Sequence, residues 1–163
     1  MTIAEINALN HDRFVAALGG VFEDSPWVAE RAWPYRPFSS LDDLHAKMIA
    51  QLDAASREEQ LALLRAHPDL GTRARVSASS AGEQAGAGLD RLTPEEYERL
   101  LQLNTSYKKK FGFPFLYAVK GSDKFAILEA LGSRIGADLD VEFAEALRQV
   151  ARIARFRLEG IVP

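Results

Sequence analysis

Residues 140–161 read DVEFAEALRQVARIARFRLEGI and place Phe143, Leu147, Val150, Ile153 and Phe156 at spacings of three and four. That is the period of one face of an α-helix. The rest of the chain punctuates itself in the same way. Thr2-Ile3-Ala4-Glu5 and Ser56-Arg57-Glu58-Glu59 read as capping boxes, and so does Ser80-Ala81-Gly82-Glu83. Asn10 is placed to cap a helix that Gly19-Gly20 would end, and Ser25-Pro26 to open WVAERAW. Ser39 or Ser40 opens a segment with Leu41, Leu44, Met48 and Leu52 on one face. Thr93-Pro94-Glu95-Glu96 opens a long helix toward Lys110, Ser122 or Asp123 another, and Asp140 the last. Only Leu116-Tyr117-Ala118-Val119 looks like a strand, and one short run makes no sheet. The pattern predicts an all-α protein, residues 1–163 forming one compact domain of about eight helices.

Composition narrows the function. Of 163 residues, 47% are hydrophobic and 26% charged, which suits an ordinary globular core with a hydrated surface. There is no cysteine, which removes disulfides, thiol nucleophiles and thiolate metal sites. A net charge of −3 offers no basic face for nucleic acid. No apolar run nears the roughly 18–20 residues that span a membrane. MTIAEINALN lacks the basic head and apolar stretch of a signal peptide, and LEGIVP is not a peroxisomal ending. The expected compartment is the cytoplasm.

Residues 63–89, LLRAHPDLGTRARVSASSAGEQAGAGL, hold the densest chemistry. His67 directly precedes Pro68, and a proline disfavours helical backbone in the residue before it. His67 is therefore expected at a helix end, with an exposed ring and little part in packing. It is suited there to acid–base work at neutral pH. Residues 73–80 are small and polar and read as a loop. Glu83 has two readings: the partner of Ser80 in a cap, or, with Ser80 and Gln84, part of an anion- or carbonyl-binding helix N-terminus.

Lys110-Phe111-Gly112-Phe113-Pro114-Phe115 surrounds a chain reversal with aromatic rings. The rings fit an apolar plug or a flat wall for a planar ligand. The extended run after them, Phe115 to Val119, would offer free backbone groups to an amide- or urea-like molecule. In the last helix Arg148, Arg152 and Arg155 share a face expected in solvent. Arg157 falls off it and needs an anion or carbonyl. His11, His45 and His67 show no metal-ligand spacing, and GxSxG, P-loop and dinucleotide fingerprints are absent.

The blocks FVAALGGVFEDSPWVAERAW, LLRAHPDLG, SSAGEQAGAGL, FGFPFLYAV and RFRLEGIV together resemble the 2-oxo-4-hydroxy-4-carboxy-5-ureidoimidazoline (OHCU) decarboxylase family over essentially the whole chain. The resemblance implies an all-α, cofactor-free enzyme with no metal, a homodimer acting on a small-molecule ureidoimidazoline in the last step from urate to (S)-allantoin. It implies that His67 and Glu83 are catalytic. Substrate contacts would come from Pro68, Ser80, Ala81, Gly82, Glu83 and Gln84, from the backbone of Phe115, Leu116, Tyr117, Ala118 and Val119, and from Arg157. Gly71 stands where relatives often carry alanine, a difference expected to be harmless. Some relatives are fused to the preceding hydrolase or carry a peroxisomal signal; with neither seen here, a free-standing bacterial cytoplasmic enzyme is the expectation. The residues alone leave two competitors open: a helical binding module without catalysis, and an acid–base hydrolase or racemase on another small ureide.

Overall fold

The computed structural model describes residues 1–71 and 77–163. They form nine α-helices and one 3-10 turn over Trp33–Tyr35, with no strand among the described residues. The helices are α1 Ile3–Ala8, α2 His11–Leu18, α3 Trp27–Ala32, α4 Leu41–Ala54, α5 Arg57–Ala66, α6 Ala78–Gly86, α7 Pro94–Phe111, α8 Lys124–Arg134 and α9 Leu139–Ile161. Two compact units emerge, Met1–Ala66 with Ala151–Pro163, and His67–Val150.

Several boundaries follow from caps legible in the sequence. Thr2 and Thr93 each close a full capping box. Asn10, Ser40 and Asp123 accept from the backbone amides of Arg13, Asp43 and Ala126. The Ser56 hydroxyl accepts from the Glu59 amide at 3.1 Å, while the Glu59 carboxylate accepts from the Ser56 amide at 3.2 Å. Each such cap satisfies helix-end donors that would otherwise go without partners.

Three helix starts differ from expectation, and the smallest difference is in α9, which begins at Leu139 so that Asp140 lies in its first turn and does not open it. Ser25 does not cap α3: its buried hydroxyl donates to the Glu23 carbonyl at 2.8 Å, and Pro26 takes the cap position without a side-chain bond. α6 begins earlier than Ser80. Its cap is Ser77, whose hydroxyl accepts from the Ser80 amide at 3.1 Å. Ser77 wins because its backbone is extended there, as a cap requires, while Ser80 already lies inside the helix. The expected loop over 73–80 therefore ends at Ser77, and its residues 73–76 lie outside the described residues.

In the first unit α3 packs on α2 and α4. Its core contains Ile6, Phe14, Leu18, Leu44, Met48 and Leu63, all fully buried. Truncating one such side chain to alanine typically costs about 2–5 kcal/mol. Ile153, Ala154 and Leu158 bury the apolar face of α9 in this unit. His45 is structural, as its place in an amphipathic helix suggested: its Nε2 lies 2.8 Å from the Ala151 carbonyl.

In the second unit the aromatic residues form the core. Tyr107 touches Phe111, Phe113 and Phe115 with ring centroids 4.6, 6.0 and 5.4 Å apart, and Phe113 meets Phe143 edge-on. Gly112 ends α7 at φ 80°, in the left-handed region that glycine enters without strain, and its amide donates to the Lys108 carbonyl at 2.8 Å. The chain then runs extended through Pro114–Val119 with no partner strand. Phe111, Phe113 and Phe115 are thus a buried plug rather than a wall for a ligand, because Tyr107 and Phe143 already cover them.

Candidate functional site

α5 stops at Ala66, and His67 and Pro68 follow outside it, as the proline dictates. The expected exposure of His67 is wrong, since only 8% of its surface meets solvent. Helix termination set the backbone of this residue and said nothing of what packs over the ring.

Residues 69–71 explain how the segment after His67 is held. The Leu70 carbonyl accepts from Asn104 Nδ2 at 2.9 Å. The Gly71 amide donates to Gln84 Oε1 at 2.8 Å. Asp69 pairs with Lys108 Nζ at 3.4 Å, an exposed contact worth roughly 0–1 kcal/mol. Leu100, Asn104 and Lys108 lie four residues apart on α7, so one face of that helix forms a ledge under the segment. Gly71 adopts φ +72°, and a Cβ there would meet the Leu100 side chain. In this chain the glycine is therefore required by its conformation, and alanine would not be neutral.

Asn104 has a second oddity. It is buried, and its Oδ1 has no hydrogen-bond partner among the described residues. Reversing the amide would set its oxygen against the Leu70 carbonyl, so the bond to Leu70 fixes the orientation. An unsatisfied buried acceptor costs about 1–3 kcal/mol. A small open cleft lies beside it, between Asp69, Leu70 and Gly71 on one side and Tyr97, Leu100, Leu101, Asn104 and Thr105 of α7 on the other. None of the residues expected in the site lines this cleft.

On α6, Ser80 and Gln84 are buried, Glu83 is partly exposed, and Ala81 and Gly82 face outward. Ser80, Glu83 and Gln84 share a face at helical spacing. The Ser80 and Ala81 amides are engaged by the hydroxyl and carbonyl of Ser77, so they are not open to an anion. With Ser77 as the cap, Glu83 stands in the second helical turn and has no capping-box role. His67, Pro68 and the Ser80–Gln84 face are thereby linked through the bond between Gln84 and Gly71.

The extended segment is anchored from α8 and α9. The Ala118 amide donates to Gln149 Oε1 at 2.9 Å, and the Leu116 carbonyl accepts from Arg134 Nη1 at 2.6 Å. The expectation of free backbone groups fails at these two positions. A buried Gln149 and a part-buried Arg134 from neighbouring helices satisfy an extended run that has no sheet to join. Phe115, Leu116, Ala118 and Val119 are buried, while Tyr117 reaches Ser122 through its hydroxyl at 3.1 Å. Arg134 also lies over the Phe115 ring, 4.5 Å from its centroid, and pairs with Glu142, to which the Tyr107 hydroxyl donates. Burial, followed by the Glu142 carboxylate, pushes the Tyr107 phenol well above its ordinary range.

Arg157 belongs to the first unit. Its guanidinium donates to Glu23 at 2.9 Å and to the Val21 carbonyl at 3.3 Å, and both charged side chains are more than nine-tenths buried. The requirement for an anion is met there by Glu23, which sequence reasoning missed. Arg148 and Arg152 are exposed as expected, whereas Arg155 is only partly so and pairs with Asp42 and Glu159. Asn104, Arg134, Glu142 and Gln149 were also missed. The one usable signal was Asn104, a polar residue in the stripe Leu100, Asn104, Tyr107, Phe111.

A model of the OHCU decarboxylase family matches residues 7–159. A 2-oxo-4-hydroxy-4-carboxy-5-ureidoimidazoline decarboxylase of Halalkalicoccus jeotgali is 48% identical over 161 residues, covering 99% of this chain and 92% of its own length. A uric acid degradation bifunctional protein of Bacillus subtilis is 47% identical, and the chain spans 33% of it. Among solved structures, an (S)-allantoin synthase superposes with a TM-score of 0.83 at 32% identity, over 99% of this chain and 54% of that one.

Proposed function

The chain belongs to the OHCU decarboxylase family, and from that premise we propose that it decarboxylates OHCU stereoselectively to (S)-allantoin and carbon dioxide, completing the conversion of urate to allantoin. In this substrate the carbon bearing the carboxylate also bears a hydroxyl, and an imine carbon adjoins it. When the bond to the carboxylate breaks, its electron pair forms a double bond to the imine carbon, the imine pair moves onto nitrogen, which takes up a proton, and an enol is left. Proton loss from that enol's hydroxyl and protonation of the neighbouring carbon on one face give (S)-allantoin. The substrate supplies its own electron sink, which is the chemical ground for a cofactor-free reaction. What remains for the protein is orientation and one managed proton.

His67 is the proposed acid–base group, deprotonating the hydroxyl or delivering the proton. Glu83 would orient it or bind the ring nitrogens. Pro68 and the Ser80–Gln84 face, with the backbone of Phe115–Val119, are proposed substrate contacts. Arg157, held by Glu23, would bind a carbonyl or ureido group that remains in the product, because gripping the departing carboxylate would stabilise the ground state. The observation that supports this assignment best is His67 itself, a nearly buried histidine followed by a segment tied at Leu70 and Gly71.

A homodimer and a cytoplasmic location belong to the same proposal, as does the unity of residues 1–163 as one functional domain, which the family match over both units supports. No helix among the described residues is long and apolar enough to cross a membrane. The decisive experiment adds the protein to freshly generated substrate and follows carbon dioxide release together with the circular dichroism of allantoin. One enantiomer formed with carbon dioxide is expected. Racemic product at the spontaneous rate overturns the proposal. Activity unchanged by EDTA and extensive dialysis is the companion expectation, and loss restored by a divalent metal overturns the cofactor-free reading.

A further inference from the structure

We propose that Asn104 is a positioning residue for His67, acting through its hydrogen bond to the carbonyl of Leu70. The link is short. Leu70 lies three residues beyond His67, and Pro68 between them has its φ fixed by its ring. Little slack therefore separates the Leu70 carbonyl from the His67 backbone. The Gly71 amide is held from the other side by Gln84 Oε1. The two bonds clamp adjacent residues from two helices, α7 and α6.

Stability alone does not account for Asn104. It occupies a buried position in the apolar stripe of α7, where a leucine would strand no side-chain atom of its own and would give up only the donor to the Leu70 carbonyl. The asparagine spends one amide atom on Leu70 and leaves its Oδ1 without a partner among the described residues. A residue that costs stability through one atom is explained by what its other atom does. That other atom holds the segment carrying the proposed catalyst. Acid–base catalysis requires that group to stay within about 0.5 Å of its productive place.

The activity readout rests on the decarboxylase reading; the spectroscopic readout does not. Asn104→Leu removes donor and orphan acceptor at similar volume, and Asn104→Asp keeps the shape but loses the donor. Each is expected to lower kcat by about 10–100-fold with KM nearly unchanged, since misplacement by 1 Å can cost on the order of 100-fold. Each is also expected to displace the NMR titration midpoint of the His67 ring. Thr105→Val, on the same helix beside the same cleft, is expected to change neither. In the wild-type protein the side-chain amide resonances of Asn104 should move with the His67 titration, a measurement independent of any variant's folding. Wild-type kcat and an unmoved His67 midpoint in the Asn104 variants overturn the proposal, as do Asn104 resonances that ignore the titration. A wild-type protein that releases no carbon dioxide overturns the decarboxylase reading instead, and leaves the NMR test of the clamp standing.

Discussion

Glu142 and Asn104 both occupy buried helix positions in the second unit, yet they are satisfied in opposite ways. Glu142 is 1% exposed and engaged on two sides, by Tyr107 and by Arg134, which donates through Nε at 2.8 Å and through Nη2. Arg134 in turn holds the Leu116 carbonyl. Asn104 makes one neutral bond and strands one acceptor. The charged network couples α7, α8 and α9 behind the extended segment and makes stability depend on it. The neutral clamp fixes a short segment after His67 and makes geometry depend on it. Breaking the first should cost mainly folding energy, and breaking the second mainly rate.

The largest effect belongs to the histidine that the clamp serves. His67→Asn should lower kcat by about 10²–10⁴-fold, the range for a general acid–base group. Its midpoint in urea should change far less than that rate loss implies. Near-wild-type turnover in this variant would remove the catalytic end of the comparison.

Glu142→Leu tests the other end. It leaves the part-buried Arg134 beside an apolar side chain, and breaking a buried pair in this way typically costs up to about 3–5 kcal/mol. Denaturant unfolding should show a loss of that size; less than about 1 kcal/mol would show that the network is not a stability element. The network also has an alkaline signature. The folded-state pKa of Tyr107 is raised, so the folded state keeps its phenolic proton where the unfolded chain loses it, above about pH 10. This contribution is complete below pH 10 and is lost as pH rises beyond it. Tyr107→Phe should lack that part of the alkaline decline, and identical declines would refute it.

The fold was legible because helix caps and apolar periodicity are local. Thr2, Asn10, Ser40, Ser56, Thr93 and Asp123 cap where their side chains and following residues indicate. Ser80 failed because it already lies inside the helix, Ser25 because its hydroxyl is spent on the Glu23 carbonyl, and Asp140 because α9 begins one residue before it. The site was legible as a set of residues and not as a set of contacts. His67 next to Pro68 fixes where a helix ends, a property of neighbours in sequence. The bonds at Leu70, Gly71, Leu116 and Ala118 come from residues 13–34 positions away, at which no period points. Arg157 was recognised as needing an anion, but nothing in FEDSP marked Glu23 as that anion.

Glu83→Gln sharpens the boundary between the two kinds of residue. Glu83 has no capping role once Ser77 is the cap, so losing its charge should leave the thermal midpoint nearly unchanged. If the carboxylate orients His67 or binds substrate, turnover should fall by about tenfold or more, equivalent to roughly 1.4 kcal/mol of barrier. Full activity would make Glu83 a structural residue and leave His67 without a carboxylate from α6.

The smallest effect separates the ends of α6 from its site face. Ser77→Ala removes the hydroxyl that accepts from the Ser80 amide, and loss of such a cap costs about 1 kcal/mol. Fraying should be confined to the first turn, because cap effects fall off along the helix. Gln84 lies beyond that turn and holds Gly71 through its side chain, so the clamp on the segment after His67 should survive. Stability should therefore drop while kcat and KM stay close to wild type. Ser80→Ala gives the contrast. Ser80 is buried on the face shared with Gln84 and supplies only a backbone amide to the cap, which alanine supplies equally well. Any stability lost there must come from the buried hydroxyl and not from helix termination, and turnover is then the more sensitive readout. A cap-sized loss from Ser80→Ala with none from Ser77→Ala would return the helix start to the position that local sequence alone suggests, and with it the reading of Glu83 as a capping partner.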